Sequence, residues 1–225
     1  MAADSETNLA ISSVKMAGLQ KKVNADSWND DYENLITAWG EKAAGLRFMH
    51  ASSSGYWRGL SNNLTLYSII ATTVASAASL VAGSIDDVEA KDAVLYAAGG
   101  IGLITSFIQS LKKFYNADEK AAEHGAIAKQ FGSYYRYVTL QMGMSREDRR
   151  PSDELSEWAL KEFERLQLEA LPLRGADIKA YKTKFKKAGQ AMPDNCRDDF
   201  SIDIYNRKRR SSVDYEDDLE VNISQ

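Results

Sequence analysis

Cysteine is nearly absent from this sequence: Cys196 is the only one in 225 residues. An internal disulfide is thereby excluded, and so is a cysteine-rich metal site. Histidine is almost as scarce, with only His50 and His124, too few for a catalytic zinc centre with three histidine ligands. Proline occurs three times, and never between Ala93 and Gly143, so no proline is available to break a helix there. The N-terminus, Met1-Ala2-Ala3-Asp4-Ser5-Glu6, has no basic region followed by an apolar one, and no cleaved signal peptide is expected. Catalytic signatures are missing too. Gly99-Gly100-Ile101-Gly102 lies inside an apolar run, where glycines serve packing, and not in a phosphate-binding loop. The acidic pairs fall in a loop and a tail, without a basic partner. Neither enzymatic activity nor a cofactor or metal is expected.

What is present is uneven. The average looks soluble, with 27% charged residues and a net charge of -4, but the apolar residues are gathered into two blocks. Leu64 to Ile85 is a run of 22 uncharged residues, and Ala93 to Leu111 is another of 19. As helices these reach about 33 and about 28 Å, which matches a hydrocarbon core of about 30 Å. A soluble helix of that length normally shows a charged face, and neither run has one. The seven residues Asp86 to Asp92 between them force an antiparallel hairpin. That loop carries one basic residue, Lys91, whereas Arg47, Arg58, Lys112, Lys113 and Lys120 flank the runs. The bias predicts an integral membrane protein with both termini in the cytoplasm and loop 86–92 on the opposite side. In that topology the acceptor patterns at Asn63 and Asn222 do not meet the glycosylation machinery.

Beyond the second run, Phe114, Ala117, Ala121, His124, Ala128, Phe131, Tyr135, Val138 and Met142 repeat at alternating steps of three and four, a heptad seam. The pattern predicts one uninterrupted helix of about 75 Å from Ala93 to Gly143. A second seam, Leu35, Trp39, Ala43, Leu46, His50, Ser53, Trp57, Leu60 and Leu64, precedes the first run, with Ser52 to Gly55 as its point of weakness. Ser152 is placed as the N-cap of a later helix whose apolar face is Leu155, Ala159, Phe163, Leu166 and Ala170. A last short helix has Ile178, Tyr181, Phe185 and Ala188 on one side. The fold class is therefore all-α: a two-helix transmembrane hairpin, long coiled-coil-like cytoplasmic helices and a C-terminal helical layer. The helical domain covers residues 28–188, with spans 64–85 and 93–111. Residues 1–27 and 189–225 are expected to be disordered, the latter because opposed charge blocks cannot bury a core. Ser211 and Ser212 follow a basic run there and fit a basophilic kinase.

Four groups of residues are candidates for function. Thr65, Ser68, Thr72, Ser76 and Ser79 share one helical face and would either line a polar pore or pack helices closely. Ala98, Gly102, Ser106 and Ser110 recur every four residues, the small-residue spacing that lets helices approach. His50 and His124 stand at matching distances from the two runs, each on its seam. They read either as core histidines that set register or as a pH-sensitive latch. Lys179, Lys182, Lys184, Lys186 and Lys187 form a solvated face or contact anionic lipid headgroups. Without an aromatic platform they do not point to nucleic acid.

Several of these positions together resemble the SLATT family, two-transmembrane effector domains associated with nucleotide-sensing conflict systems. The matching features are Trp39, Arg47 and His50 before the first run, Asn62-Asn63 at its mouth, and the hairpin. His124, Phe131 and Tyr134 on the long helix also match, as do Phe163, Leu166 and Leu171-Pro172 before an amphipathic stretch ending near Lys187. The resemblance spans roughly residues 30–188. It implies a membrane effector that oligomerises, forms pores and is switched by a separate sensing partner, since this chain carries no sensor domain. The alternative is a non-conducting structural protein that ties a bilayer to a cytoplasmic-side scaffold or viral capsid lattice. Expected partners are thus the lipid bilayer, further copies of the chain and a sensor or scaffold protein.

Overall fold

The computed structural model describes residues 2–185 and 189–197, with side chains from residue 15 onward. Lys186, Lys187, Ala188, Ser211, Ser212 and Asn222 lie outside the described residues or their side chains. Among the described residues there is no strand, and the chain is helical almost throughout. The elements are α1 (Ala2–Ser27), α2 (Asp30–Ala82), α3 (Val88–Tyr115), α4 (Ala117–Gly143), α5 (Ser152–Glu169), α6 (Gly175–Phe185) and a 3₁₀ turn (Asp194–Cys196). They form two compact units. One takes residues 2–42, 135–163 and 189–197, and the other takes 43–134 and 164–185.

The first unit is built around Trp28, Ile36, Val138, Leu155, Ala159 and Phe163, all buried. Asn29 starts α2: its side chain accepts from the Tyr32 amide at 2.8 Å, satisfying one of the donors that a helix start leaves unpaired. The neighbouring junctions are tied by polar contacts. Trp28 Nε1 donates to the Arg150 carbonyl at 2.9 Å, and Ser152 Oγ donates to the Ser27 carbonyl at 2.6 Å. Ser152 is therefore a cross-link and not a cap. Leu155 of the first turn bonds instead to the Pro151 carbonyl. Glu33 sits between Arg146 and Arg149, and mainly the hydrogen bond from Arg146 holds its carboxyl down to about 2.

Three expectations are corrected here. Residues 2–27 are helical where loose chain was expected, and Lys21 bonds Asp148 at 2.8 Å. Residues 189–197 are held by contacts to residues about 150 positions earlier, which charge patterning does not reveal. The Ala191 amide donates to Glu41 at 2.6 Å, Lys42 pairs with Asp194 at 2.8 Å, and Cys196 is buried. The seam also shifts: Ile36 and Gly40 are buried in place of Leu35 and Trp39. A Cβ at Gly40 would stand 2.9 Å from Val138 Cγ1, so glycine here permits close approach of two helices.

In the second unit, α2 and α3 form the hairpin. Helix α2 ends at Ala82, and Gly83 and Ser84 bond back to Leu80 and Val81. Asp87 caps α3, accepting from the Glu89 amide at 3.2 Å. The connection is residues 83–87, tighter than the expected 86–92, because Asp87 is an N-cap and Glu89 stabilises a first turn. The second long helix is also not continuous. Asn116 adopts a left-handed conformation (φ 48°, ψ 42°), and its amide bonds to the Lys112 carbonyl at 3.2 Å. Asparagine tolerates this backbone region better than other non-glycine residues, and its side chain bonds Glu119 at the start of α4. By contrast, Ser52 to Gly55 do not break α2.

Candidate functional site

The two hairpin helices are long and apolar enough to cross a membrane. Their most apolar windows are 0% and 11% buried, unlike the core helix of a soluble protein. Leu66, Ile69, Ile70, Val74, Leu103, Ile104 and Phe107 are all exposed. Where the helices touch, the seam on α2 is Thr65, Ser68, Ala71, Ala75, Ala78 and Ala82, and on α3 it is Val94, Ala98, Ile101, Thr105 and Ile108. Alanine permits the approach because it adds little bulk. The antiparallel register is marked by two polar contacts: Lys112 Nζ donates to Thr65 Oγ1 at 2.9 Å, and Gln109 Nε2 donates to Ser68 Oγ at 3.1 Å.

The hydroxyl stripe therefore divides. Thr65 and Ser68 join the seam, whereas Thr72, Ser76 and Ser79 are exposed beside it. They line an open cleft of about 640 Å³ with Ala75, Leu80, Gly102 and Thr105. Thr72 and Ser79 bond back to the Ser68 and Ala75 carbonyls. Of the small-residue series on α3, Ala98 is buried against α2, but Gly102, Ser106 and Ser110 are exposed. A Cβ at Gly102 would meet nothing within 4 Å. The strict four-residue spacing drifts around a helix of 3.6 residues per turn, so the series does not form the contact within the hairpin.

Beyond the hairpin, α2 and α4 run antiparallel in the same unit. Ser54 Oγ donates to the Ala121 carbonyl at 2.7 Å, and Ser61 donates to Asp118. The structure brings His50 and His124 together at the centre of this contact. Their Nδ1 atoms are 2.9 Å apart, their ring centroids 5.2 Å apart, and both are buried. Phe131 stacks on His50 at 5.9 Å. A bond between two Nδ1 atoms requires one ring to donate and the other to accept, hence opposite tautomers when both are neutral. Burial first, and then the proximity of His124, push His50 down to about 4. Burial also lowers His124, against the pull of Asp177 and Glu123.

Sequence reasoning missed the residues next to this pair. The serines of Ser52-Ser53-Ser54 are hydrogen-bond donors rather than helix breakers. Ser52 and Ser53 donate to the two oxygens of Asp177 at 2.7 and 2.5 Å. Arg174 reaches the same carboxylate at 2.9 and 3.3 Å and lies 3.5 Å over the Tyr56 ring. Burial raises the pKa of Asp177, but the bonds from Ser52, Ser53 and Arg174 together outweigh it and hold the carboxyl below its ordinary range. The one available signal was three adjacent hydroxyls in an otherwise good helix. Nothing in the sequence marked Asp177 as their acceptor. On α6, Lys179 and Lys184 are exposed and Lys182 is half-buried. Lys184 lies 4.9 Å from the Phe48 ring, which also touches Tyr181 and Phe185.

No family model, no curated protein and no solved structure matches this chain.

Proposed function

We propose that the chain is a membrane effector: the α2–α3 hairpin inserts into a bilayer, several copies assemble, and Thr72, Ser76 and Ser79 line a polar conduit. The supporting observation is the open hydroxyl-bearing cleft on two otherwise apolar, unburied helices. Apolar surface on this scale is covered by lipid or by further copies. Thr72 and Ser79 satisfy their hydroxyls on their own helix, but Ser76 makes no such bond among the described residues. Inside a bilayer an unpaired hydroxyl is costly, so Ser76 favours water or a neighbouring copy. The exposed Gly102, Ser106 and Ser110 suit contacts between copies. The SLATT resemblance agrees with this reading, and a separate sensing partner would supply the trigger.

The test is conductance of the purified full chain in planar bilayers. Discrete openings that Ser76→Leu abolishes, with insertion and oligomer size unchanged, support the proposal. Openings that Ser76→Leu leaves unchanged in correctly inserted oligomers overturn the conduit, and bilayers that stay closed under every condition favour a structural membrane protein. Topology is checked separately with single cysteines at Val88 and Lys184, in a Cys196→Ser background. Labelling from opposite sides is expected, and labelling from the same side refutes the hairpin insertion.

A further inference from the structure

The histidine pair does not follow from the conduit reading and does not depend on it. Two buried imidazoles meeting through the same ring nitrogen form a contact that can hold one proton but not two. When both rings are neutral, one Nδ1–H donates to the bare Nδ1 opposite. When one ring is charged, its Nδ1–H still finds a bare nitrogen, provided the neutral ring keeps its proton on Nε2. When both are charged, two N–H groups point at each other across 2.9 Å, and like charges oppose each other in a site closed by Phe131.

We propose that His50 and His124 form a proton-operated latch between α2 and α4, closed while one proton lies between the facing nitrogens and opened when each ring holds its own.

The surroundings fit a two-step device. From the α6 side, Asp177 and Arg174 act on the pair, and from α4 itself Glu123 and Lys120 do. Asp177 has both oxygens engaged by Ser52, Ser53 and Arg174. It is a fixed negative charge that favours a first proton nearby. Arg174 and Lys120 oppose accumulation of a second positive charge. The helices are close one turn from His50: Ser54 bonds the Ala121 carbonyl, and a Cβ at Gly125 would stand 3.2 Å from Ser54 Oγ. Two charged rings therefore have no room to turn away without separating the helices. Because Asp177 is held below its ordinary range, it stays ionised while the histidines titrate, so the two events are separable.

Hydrogen exchange of the full chain in detergent micelles, read by mass spectrometry at about pH 7.5 and about pH 4.5 and corrected for intrinsic exchange, tests the latch. Peptides from residues 43–61 and 117–134 should lose protection reversibly, on the order of tenfold or more, while residues 64–111 keep theirs. His124→Asn and His50→Asn, which keep a neutral polar group, should each shrink the difference. Equal protection of the native chain at both pH values overturns the proposal. So does loss across the whole chain at one pH, which is general acid unfolding, or a response undiminished in both variants. Should the variants fail to fold, a histidine NMR titration of the unaltered chain decides. Two coupled steps, the second well below about 6.5, support the latch, and two independent titrations near about 6.5 refute it.

Discussion

Replacing Asp177 by alanine is the sharpest perturbation of the second unit, because one carboxylate satisfies three donors. The side chain is buried and accepts from Ser52 at 2.7 Å, from Ser53 at 2.5 Å and from Arg174 at 2.9 Å. Hydrogen bonds to a charged acceptor contribute about 1.5–3 kcal/mol each, but the loss is not their sum. Arg174 keeps a partly exposed guanidinium and regains water, and half-buried Ser52 does so in part. Fully buried Ser53 does not, and leaving such a donor unpaired costs about 1–3 kcal/mol. Asp177→Ala should therefore destabilise the unit by about 3 kcal/mol. Asp177→Asn keeps the shape but loses the charge and one acceptor, and should cost about 1–2 kcal/mol. Urea titration at fixed detergent concentration, followed by helix circular dichroism, measures both. The wild-type effect has a pH signature. The folded pKa is lowered, so the carboxylate's stabilisation is present above the unfolded value of about 3.9 and is lost as pH falls below it. The penalty for Asp177→Asn should thus shrink below about pH 4. An Asp177→Ala variant within about 0.5 kcal/mol of wild type would refute the reasoning.

Two further predictions concern backbone positions. Gly40→Ala should destabilise the first unit by about 1 kcal/mol, because the clash with Val138 at 2.9 Å outweighs the gain in helix propensity. Gly55→Ala, where nothing lies within 4 Å, should stabilise α2 by up to about 1 kcal/mol. The same titration reads both, and equal signs would contradict the packing at Gly40. Asn116→Ala should cost about 1 kcal/mol, because the left-handed backbone at φ 48° disfavours a Cβ, whereas Asn116→Gly should be close to neutral. Thermal melts compare the pair, and an Asn116→Ala chain more stable than Asn116→Gly would mean that the break is not required.

Much of the helical fold was legible in one dimension. The two uncharged runs already fix which helices are long and apolar, because no other composition lacks a charged face over such lengths. The seam residues Ala117, Ala121, His124, Ala128 and Phe131 are buried as their spacing predicts, since side chains three and four apart share a face. Periodicity also placed Leu155, Ala159, Phe163 and Leu166 inward. What it could not supply is phase and partner. Tyr134 and Gln141 are buried where Tyr135 and Met142 complete the heptads, because contact direction follows the true helical twist rather than an ideal 3.5-residue repeat. Val94, Ala98, Ile101, Thr105 and Ile108 close the α3 side of the hairpin, so that only Ala98 of the small-residue series takes part, because the rotation of each helix about its axis is chosen by the neighbour it meets. Asn116 breaks the long helix through a conformation that its residue type permits but does not demand.

Asp177 is the clearest case of a feature that only the tertiary structure decided. Its donors Ser52 and Ser53 lie more than a hundred positions away, and local reading took those serines as helix weakeners. A polar residue declares its chemistry in the sequence, but a hydrogen bond needs a partner within about 3 Å at a favourable angle. That partner exists only once the helices have docked. The sequence by itself determined that the two apolar runs and the periodic segments after them are helical, because that depends on neighbours three and four residues apart. The meeting of two histidines nitrogen to nitrogen, and the placing of a carboxylate among three donors, were decided by the packing of α2, α4 and α6.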